Sequence, residues 1–242
     1  MEKIWLQHYD PRIEPEIDPD AYTSLVDVFE QSVEKYRDRT AYINMGHSMT
    51  FGELDDLSRQ FAAYLQNSGL QRGDSVAVMM PNLLQSPVAI FGILRAGMVV
   101  VNVNPLYTPR ELQHQLTDAN VKTIVIVENF ACTLAEVVKD TPVQNILLTS
   151  IADLLPAPKR WIVNFVLKHV KKMVPAFTLS GTKRFSQALN EGESATYTRP
   201  DVKNSELAFL QYTGGTTGVS KGGMLTTRNL VGNLEQGDGH LA

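Results

Sequence analysis

The sequence lacks three features that define large classes of proteins. It has a single cysteine, Cys132, no long apolar run, and no excess of positive charge, since its 242 residues carry a net charge of −4. One cysteine excludes an internal disulfide framework and is typical of a protein from a reducing compartment. Without about 18 to 20 consecutive apolar residues, no membrane-spanning helix is predicted. The acidic balance argues against a nucleic-acid-binding protein.

Targeting and metal-binding signals are also scarce. The first twenty residues lack the apolar core of a signal peptide and do not have the composition of a transit peptide. The five histidines are scattered along the chain without the spacing of metal ligands, which argues against a zinc enzyme. We therefore expect a cytoplasmic protein with a substantial core, because 43% of its residues are hydrophobic and 20% are charged.

Strand-like and helical segments alternate through much of the chain. Two helices are marked by capping boxes, Thr50 with Glu53 and Thr108 with Glu111. The strand-like runs DSVAVMM, MVVVNVN, VKTIVIV and QNILLT do not alternate apolar with polar residues, which indicates strands covered on both faces. The pattern predicts an α/β fold, a doubly wound, flavodoxin-like parallel sheet flanked by helices. We expect residues 1–200 to form one α/β subdomain and 201–242 to begin a second one.

A basic segment, residues 154–190, interrupts this rhythm. It carries a charge of +7 and no acidic residue, which leaves −11 on the rest of the chain. On a helical wheel, seven apolar residues between Ile162 and Val174 share one arc. Lys168, Lys171 and Lys172 lie opposite, bordered by Trp161 and Phe165. Such a helix can lie on an anionic membrane surface, or it can pack on its own domain with a solvated basic face.

The most informative stretch is QYTGGTTGVSKGGM, which follows the apolar run LAFLQYT. Glycines let an anion approach the main chain closely, and successive N–H groups can then surround phosphate oxygens. Threonine hydroxyls add donors or magnesium ligands, and a lysine supplies positive charge. The residues are Thr213, Gly214, Gly215, Thr216, Thr217, Gly218 and Lys221. Neither the Walker pattern nor G-x-G-x-x-G fits, so this is a third kind of phosphate loop; a hairpin tip without a ligand is the alternative.

The segment YTGGTTGVSKGGMLTTRN resembles the phosphate loop of adenylate-forming enzymes, which include acyl-CoA synthetases, luciferases and peptide-synthetase adenylation domains. Two further stretches, AVMMPNLLQSPVAIFGILRAG with its continuation and LPAPKRWIVNFVLKHVKKMVPAF, resemble bacterial long-chain fatty acyl-CoA synthetases of the FadD type. The likeness runs from about residue 1 to Glu235. Relatives have histidine where this chain has Thr227, and many have proline where it has Ser220.

The resemblance implies a long-chain fatty acid–CoA ligase that forms AMP. ATP would activate the fatty acid as an acyl-adenylate, and coenzyme A would then displace AMP. Lys221 would be the catalytic cation, and Thr213 would ligate Mg²⁺ or a phosphate oxygen. The nucleotide-binding set would be Thr213, Gly214, Gly215, Thr216, Thr217, Gly218, Val219, Ser220, Lys221, Gly222, Gly223 and Met224. Peripheral association with the inner face of the membrane is implied as well, and a homodimer is left open.

The resemblance also implies that this chain is the N-terminal fragment of a truncated adenylate-forming fold, because relatives run to about twice its length. We expect the fragment alone to make no acyl-CoA. Two other classes of function stay open at this point. One is a non-catalytic adenylate-forming domain that binds a membrane surface or a partner. The other is an unrelated nucleotide-binding protein with a flavodoxin-like sheet.

Overall fold

The computed structural model describes residues 3–9, 15–213 and 220–241, without the side chains of Trp5 and residues 238–241. The strands are β1 (Thr40–Asn44), β2 (His47–Thr50), β3 (Ser75–Met79), β4 (Val99–Asn102), β5 (Val121–Val127), β6 (Asn145–Thr149), β7 (Thr182–Arg184), β8 (Leu207–Thr213) and β9 (Lys221–Thr226). The α-helices are α1 (Leu25–Tyr36), α2 (Phe51–Gln66), α3 (Gln85–Arg95), α4 (Pro109–Asp118), α5 (Ala131–Val137), α6 (Lys159–Phe165), α7 (Phe185–Glu193) and α8 (Thr227–Leu241). Short 3-10 turns cover Ile4–His8, Glu128–Phe130 and Val138–Asp140, and a π-helical turn covers Val166–Val170.

Seven strands form one sheet in the order β7-β6-β5-β3-β4-β8-β9. All pairs are parallel except β8 with β9, and β1 pairs with β2 as a separate antiparallel hairpin. The predicted α/β architecture is confirmed. Since β8 is bonded to β4, the described chain forms a continuous sheet across residue 200, and the division into two subdomains there stays a prediction.

The central strands are covered on both faces, as their unbroken apolar runs predict. Val76 and Val78 of β3 pack into one core with α2, α3 and α7, whereas Ala77 and Met79 pack into a second core with α4 and α5. Alternate side chains of a strand point to opposite faces, so one strand supplies both cores. Strand β8 is less enclosed than its sequence suggests. It lies one strand from the sheet edge, and Leu207, Phe209 and Leu210 are only half-buried.

Both predicted capping boxes are present. The side chain of Thr50 accepts from the Glu53 N–H at the start of α2, and Thr108 does the same with Glu111 at the start of α4. In each case the glutamate returns a bond to the backbone of the capping residue, which satisfies donors that a helix leaves free at its first turn. The cap on α4 matters most here, because α4 lies against the end of β8.

Candidate functional site

The two ends of the glycine-rich loop are held together by the β8–β9 hairpin. Thr213 is the last residue of β8 and Lys221 the first of β9, and the two are partners in the antiparallel ladder. The predicted phosphate-binding residues Gly214, Gly215, Thr216, Thr217, Gly218 and Val219 lie outside the described residues. Their role therefore stays a prediction, and the geometry of the site is that of its two anchors.

The described members of the predicted nucleotide-binding set differ in their distance from the loop. Ser220 and Lys221 adjoin it, and Lys221 is exposed with no ion pair among the described residues. Gly222 and Gly223 follow as partners of Tyr212 and Gln211. Met224 lies three positions along β9 from Lys221, opposite Leu210, with 70% of its surface exposed. The ladder therefore brings Thr213 and Lys221 together and carries Met224 away from the loop.

Helix α4 holds both sides of the loop. Nε2 of His114 lies 3.0 Å from the carbonyl oxygen of Ser220, and the Tyr212 hydroxyl donates to Oδ2 of Asp118. Because a carbonyl can only accept, Nε2 of His114 must carry the proton in that bond. His114 and Asp118 are four residues apart, so they lie on one face of α4. One helix face thus holds Ser220, the residue before β9, and Tyr212, the last residue but one of β8.

Neither His114 nor Asp118 was singled out in the sequence as a residue of the site. The signal was an i, i+4 pair of polar side chains on a helix directly after the carboxyl end of β4. Parallel strands end at one edge of a sheet, and in the observed order β4 is the neighbour of β8. Strand order is not written in the local sequence, so only the structure brings this helix to the loop.

Tyr212 is the buried side chain at the base of the loop, with 8% of its surface exposed. Burial raises the pKa of its phenol, and the hydrogen bond and the negative charge of Asp118 raise that pKa further. The hydroxyl is therefore a donor at neutral pH. On the adjacent strand, a Cβ added at Gly222 would lie 3.0 Å from Cε2 and Cζ of the Tyr212 ring. The ring packs against bare backbone, which accounts for a glycine at that position.

The carboxyl end of β4 braces β8 from the other side. Nδ2 of Asn102 donates to Oε1 of Gln211 at 3.1 Å, and the Gln115 amide donates to the Asn102 carbonyl at 2.8 Å. Gln115 lies on α4 and is fully buried. Side chains on β4 and α4 therefore position the strand that leads into the loop.

Among the described residues, one predicted metal ligand lies at this edge of the sheet. The Thr213 side chain, the predicted Mg²⁺ ligand, is exposed at the end of β8. In the described part of the chain, no group of three or more His, Cys, Asp or Glu side chains is arranged to hold a metal ion. A single hydroxyl suits Mg²⁺, which usually keeps several waters and takes few protein ligands.

A second surface stands out at the carboxyl edge of the sheet. Residues 159–170 of the basic segment form α6 and the following π-helical turn, and none of them is buried. Trp161 is 64% exposed and Phe165 is 60% exposed. The Lys159 ammonium donates to the carbonyl of Met45 in the turn between β1 and β2. We call the exposed apolar residues of these two pieces the docking surface: Tyr42, Ile43, Met45, Trp161, Ile162, Phe165, Val170 and Met173.

None of the described helices combines the length and the apolar character that crossing a bilayer demands. The hydrophobic residues of the docking surface are instead spread over a hairpin tip and a short amphipathic helix. The apolar arc is divided: Ile162, Val170 and Met173 are exposed, whereas Val163 is half-buried and packs against the core.

Comparison with known proteins gives consistent matches. The model of the AMP-binding enzyme family matches residues 29–241. A long-chain-fatty-acid–CoA ligase from Escherichia coli O6:H1 is 57% identical over 98% of this chain, and one from Bacillus subtilis is 35% identical over 97%. The chain spans 42% of the length of each of these curated relatives.

Solved structures share the fold at low sequence identity. A long-chain-fatty-acid-CoA ligase from Archaeoglobus fulgidus matches with a TM-score of 0.67 and 23% identity, over 91% of this chain and 39% of that one. The anthranilate CoA ligase AuaEII, solved in complex with anthranoyl-AMP, matches with a TM-score of 0.69 and 18% identity, over 86% of this chain and 35% of that one.

Proposed function

Because the chain belongs to the AMP-binding enzyme family, we propose that it forms the N-terminal part of an AMP-forming long-chain fatty acid–CoA ligase. The observation that carries the proposal is the 57% identity to the E. coli ligase over 98% of the chain. The stretch that matches the family model, residues 29–241, includes both loop anchors. The proposed substrates of the whole protein are a long-chain fatty acid, ATP and coenzyme A.

The proposed chemistry follows from charge. A carboxylate is a poor acyl donor, and joining it to AMP gives it a good leaving group. Attack of the carboxylate on the α-phosphorus brings negative charge toward the departing pyrophosphate. The exposed ammonium of Lys221 would stabilise that charge, and the hydroxyl of Thr213, on the facing strand, would hold Mg²⁺ or a phosphate oxygen. Bound Mg²⁺ would neutralise part of the phosphate charge.

His114 and Asp118 are proposed as positioning residues in this site. They would not touch the nucleotide; they fix Ser220 and Tyr212, which flank the loop. Fixed donors around a developing charge avoid reorganisation during the reaction. One helix face would therefore keep Ser220 and Tyr212, the described residues that flank the loop, in position.

A chimera tests the proposal. This chain replaces the matching 42% of the E. coli relative, and acyl-CoA formation from palmitate, ATP and coenzyme A is measured. We expect activity in the chimera, and we expect Lys221→Ala to slow ATP–pyrophosphate exchange by about 10²- to 10³-fold. Lys203→Ala, at another exposed lysine, serves as the matched control. A folded chimera without ligase activity, or unchanged exchange in Lys221→Ala, would contradict the proposal.

We further propose that the protein associates peripherally with the inner face of the membrane through the docking surface. Exposed Trp161 and Phe165 beside Lys168, Lys171 and Lys172 combine an apolar contact with attraction to anionic lipids. Co-sedimentation with vesicles containing phosphatidylglycerol tests this. Trp161→Ser/Phe165→Ser should reduce the bound fraction several-fold, whereas Leu234→Ser, at an exposed leucine of α8, should not. Equal binding by the unchanged chain and both variants would contradict a role of the docking surface in membrane association.

A further inference from the structure

A polar cavity of about 460 Å³ lies beneath α6 and the π-helical turn that follows it, apart from the glycine-rich loop. Its floor is formed where β5, β6 and β7 end, and its roof by the helical turns from Arg160 to His169. Polar lining residues at the strand ends are Glu128, Ser150, Asp153 and Arg184. The carboxyl edge of a parallel sheet is where ligands of such folds bind, yet nothing in the proposed ligase chemistry uses this part of the edge.

The two acidic side chains of the cavity are already occupied by the protein. Asp153 accepts from the Ser150 N–H, from the Thr149 hydroxyl and from the Asn164 amide. Glu128 accepts from the Ser150 hydroxyl at 2.9 Å and from the Arg184 guanidinium at 3.2 Å. Arg184 offsets the charge of Glu128, whereas Asp153 is held by three neutral donors and keeps its negative charge at the floor of the cavity.

The basic side chains of the roof are not neutralised in the same way. Arg160 and Lys168 line the cavity, and neither has an ion pair among the described residues. Arg160 lies over the ring of Trp161 at 5.8 Å, and His169 lies against Phe165 at 4.9 Å. Arg184 is half exposed, but Glu128 offsets its charge. Arg160 and Lys168 together outweigh the single unpaired charge of Asp153, so the cavity keeps a small excess of positive charge, and its aromatic rim opens on the docking surface.

We infer that this cavity binds the phosphate of an anionic phospholipid headgroup. Guanidinium and ammonium groups suit a phosphodiester, and the exposed rings of Trp161 and Phe165 lie where the lipid's acyl chains would leave the pocket. A free phosphate would satisfy the cations but would leave the apolar rim in water. The inference rests on the proposed membrane association, to which it adds a specific headgroup site.

The test uses a lipid in solution, so that it does not depend on docking to a bilayer. Binding of monomeric dihexanoyl phosphatidylglycerol to the 242-residue chain is measured by calorimetry, and inorganic phosphate is titrated separately. Arg160→Gln/Lys168→Gln should weaken lipid binding about tenfold or more. Lys171→Gln/Lys172→Gln removes the same charge from exposed positions that do not line the cavity, and it should change affinity less than twofold.

Three outcomes would overturn the inference. Equal losses of lipid affinity in the two double variants would show that net charge attracts the lipid without a specific site. Phosphate that binds as tightly as the lipid would make the site one for free phosphate. If neither ligand binds saturably to a chain that circular dichroism shows to be folded, the cavity does not bind an anion. If the chain binds the monomeric lipid but the vesicle experiment shows no role for Trp161 and Phe165, the docking surface is wrong and the headgroup site stands. Neither experiment measures ligase activity.

Discussion

Gly222→Ala is the sharpest test of how the base of the loop is built. The added methyl carbon would lie 3.0 Å from two carbons of the Tyr212 ring, whereas carbon atoms pack best at about 3.5 to 4.0 Å. The ring would have to move by about 0.5 Å or more. Its hydroxyl is bonded to Asp118 on α4, so the movement would strain or break that bond.

The expected cost is about 2 kcal/mol. Overpacking a well-filled contact costs about 1–3 kcal/mol, and loss of the Tyr212–Asp118 hydrogen bond adds about 1 kcal/mol. Replacing glycine by alanine in a strand returns roughly 0.5–1 kcal/mol of backbone entropy. Since neither Gly222 nor Gly223 has a positive φ, the backbone itself accepts alanine at both positions.

Urea unfolding of the chain measures these effects. Gly223→Ala is the matched control, because its nearest neighbour would be the Gln211 carbonyl at 3.4 Å, an ordinary contact, and we expect a change within about 0.5 kcal/mol. In a Tyr212→Ala background, Gly222→Ala should be neutral or stabilising. If Gly222→Ala is as stable as the unchanged chain, or if it loses the same free energy in both backgrounds, the packing argument is wrong.

Two further substitutions test the role of charge, each in two measurements. Tyr212→Phe should lower the free energy of unfolding by about 1 kcal/mol at pH 7, because the hydrogen bond to Asp118 is lost. The cost is no larger because the Asp118 side chain is exposed and water can replace the hydroxyl. Burial and Asp118 raise the pKa of Tyr212 above 10.0. The contribution of the Tyr212 hydroxyl to the free energy of unfolding is therefore present below pH 10 and lost as the pH rises further. In urea unfolding at increasing pH, Tyr212→Phe should lose less stability above pH 10 than the unchanged chain. Arg95→Met should cost about 3 kcal/mol in urea unfolding, because fully buried Arg95 pairs with Asp55, which would keep only its more exposed partners. Burial alone would raise the pKa of Asp55, but Arg95 holds that pKa below 3.8. The ion pair therefore contributes stability that is present above pH 4 and lost as the pH falls below it. In a pH series of urea unfolding, Arg95→Met should lose less stability at acidic pH than the unchanged chain.

Local rules account for most of the fold. The capping threonines Thr50 and Thr108 place the starts of α2 and α4, because a helix start is decided within four residues. Unbroken Val and Ile runs place β3 to β6 in a sheet covered on both faces, because burial on two faces removes the polar alternation. These signals act over a few residues, and a single sequence displays them fully.

Long-range contacts limit what the sequence predicts about the site. The motif marks Thr213 and Lys221 directly, but the support from His114 and Asp118 depends on β4 and β8 being neighbours in the sheet. Asp118 and Tyr212 are 94 residues apart in the sequence, and no local pattern records that contact. Similarly, the helical wheel identifies the apolar arc of the basic segment but not whether it faces the core or the solvent.

The sheet order relates the two proposed surfaces. The loop follows β8 and the cavity follows β5 to β7, and because these strands are parallel, both lie at the carboxyl edge. From β6 to β8 there are four steps between strands, or roughly 20 Å at about 4.8 Å each. Leu106, which follows β4 between them, is 81% exposed. In the described part of the chain, the docking surface and the two anchors of the loop therefore lie at the same edge of the sheet, so the proposed membrane contact and the proposed nucleotide site share one face of the protein.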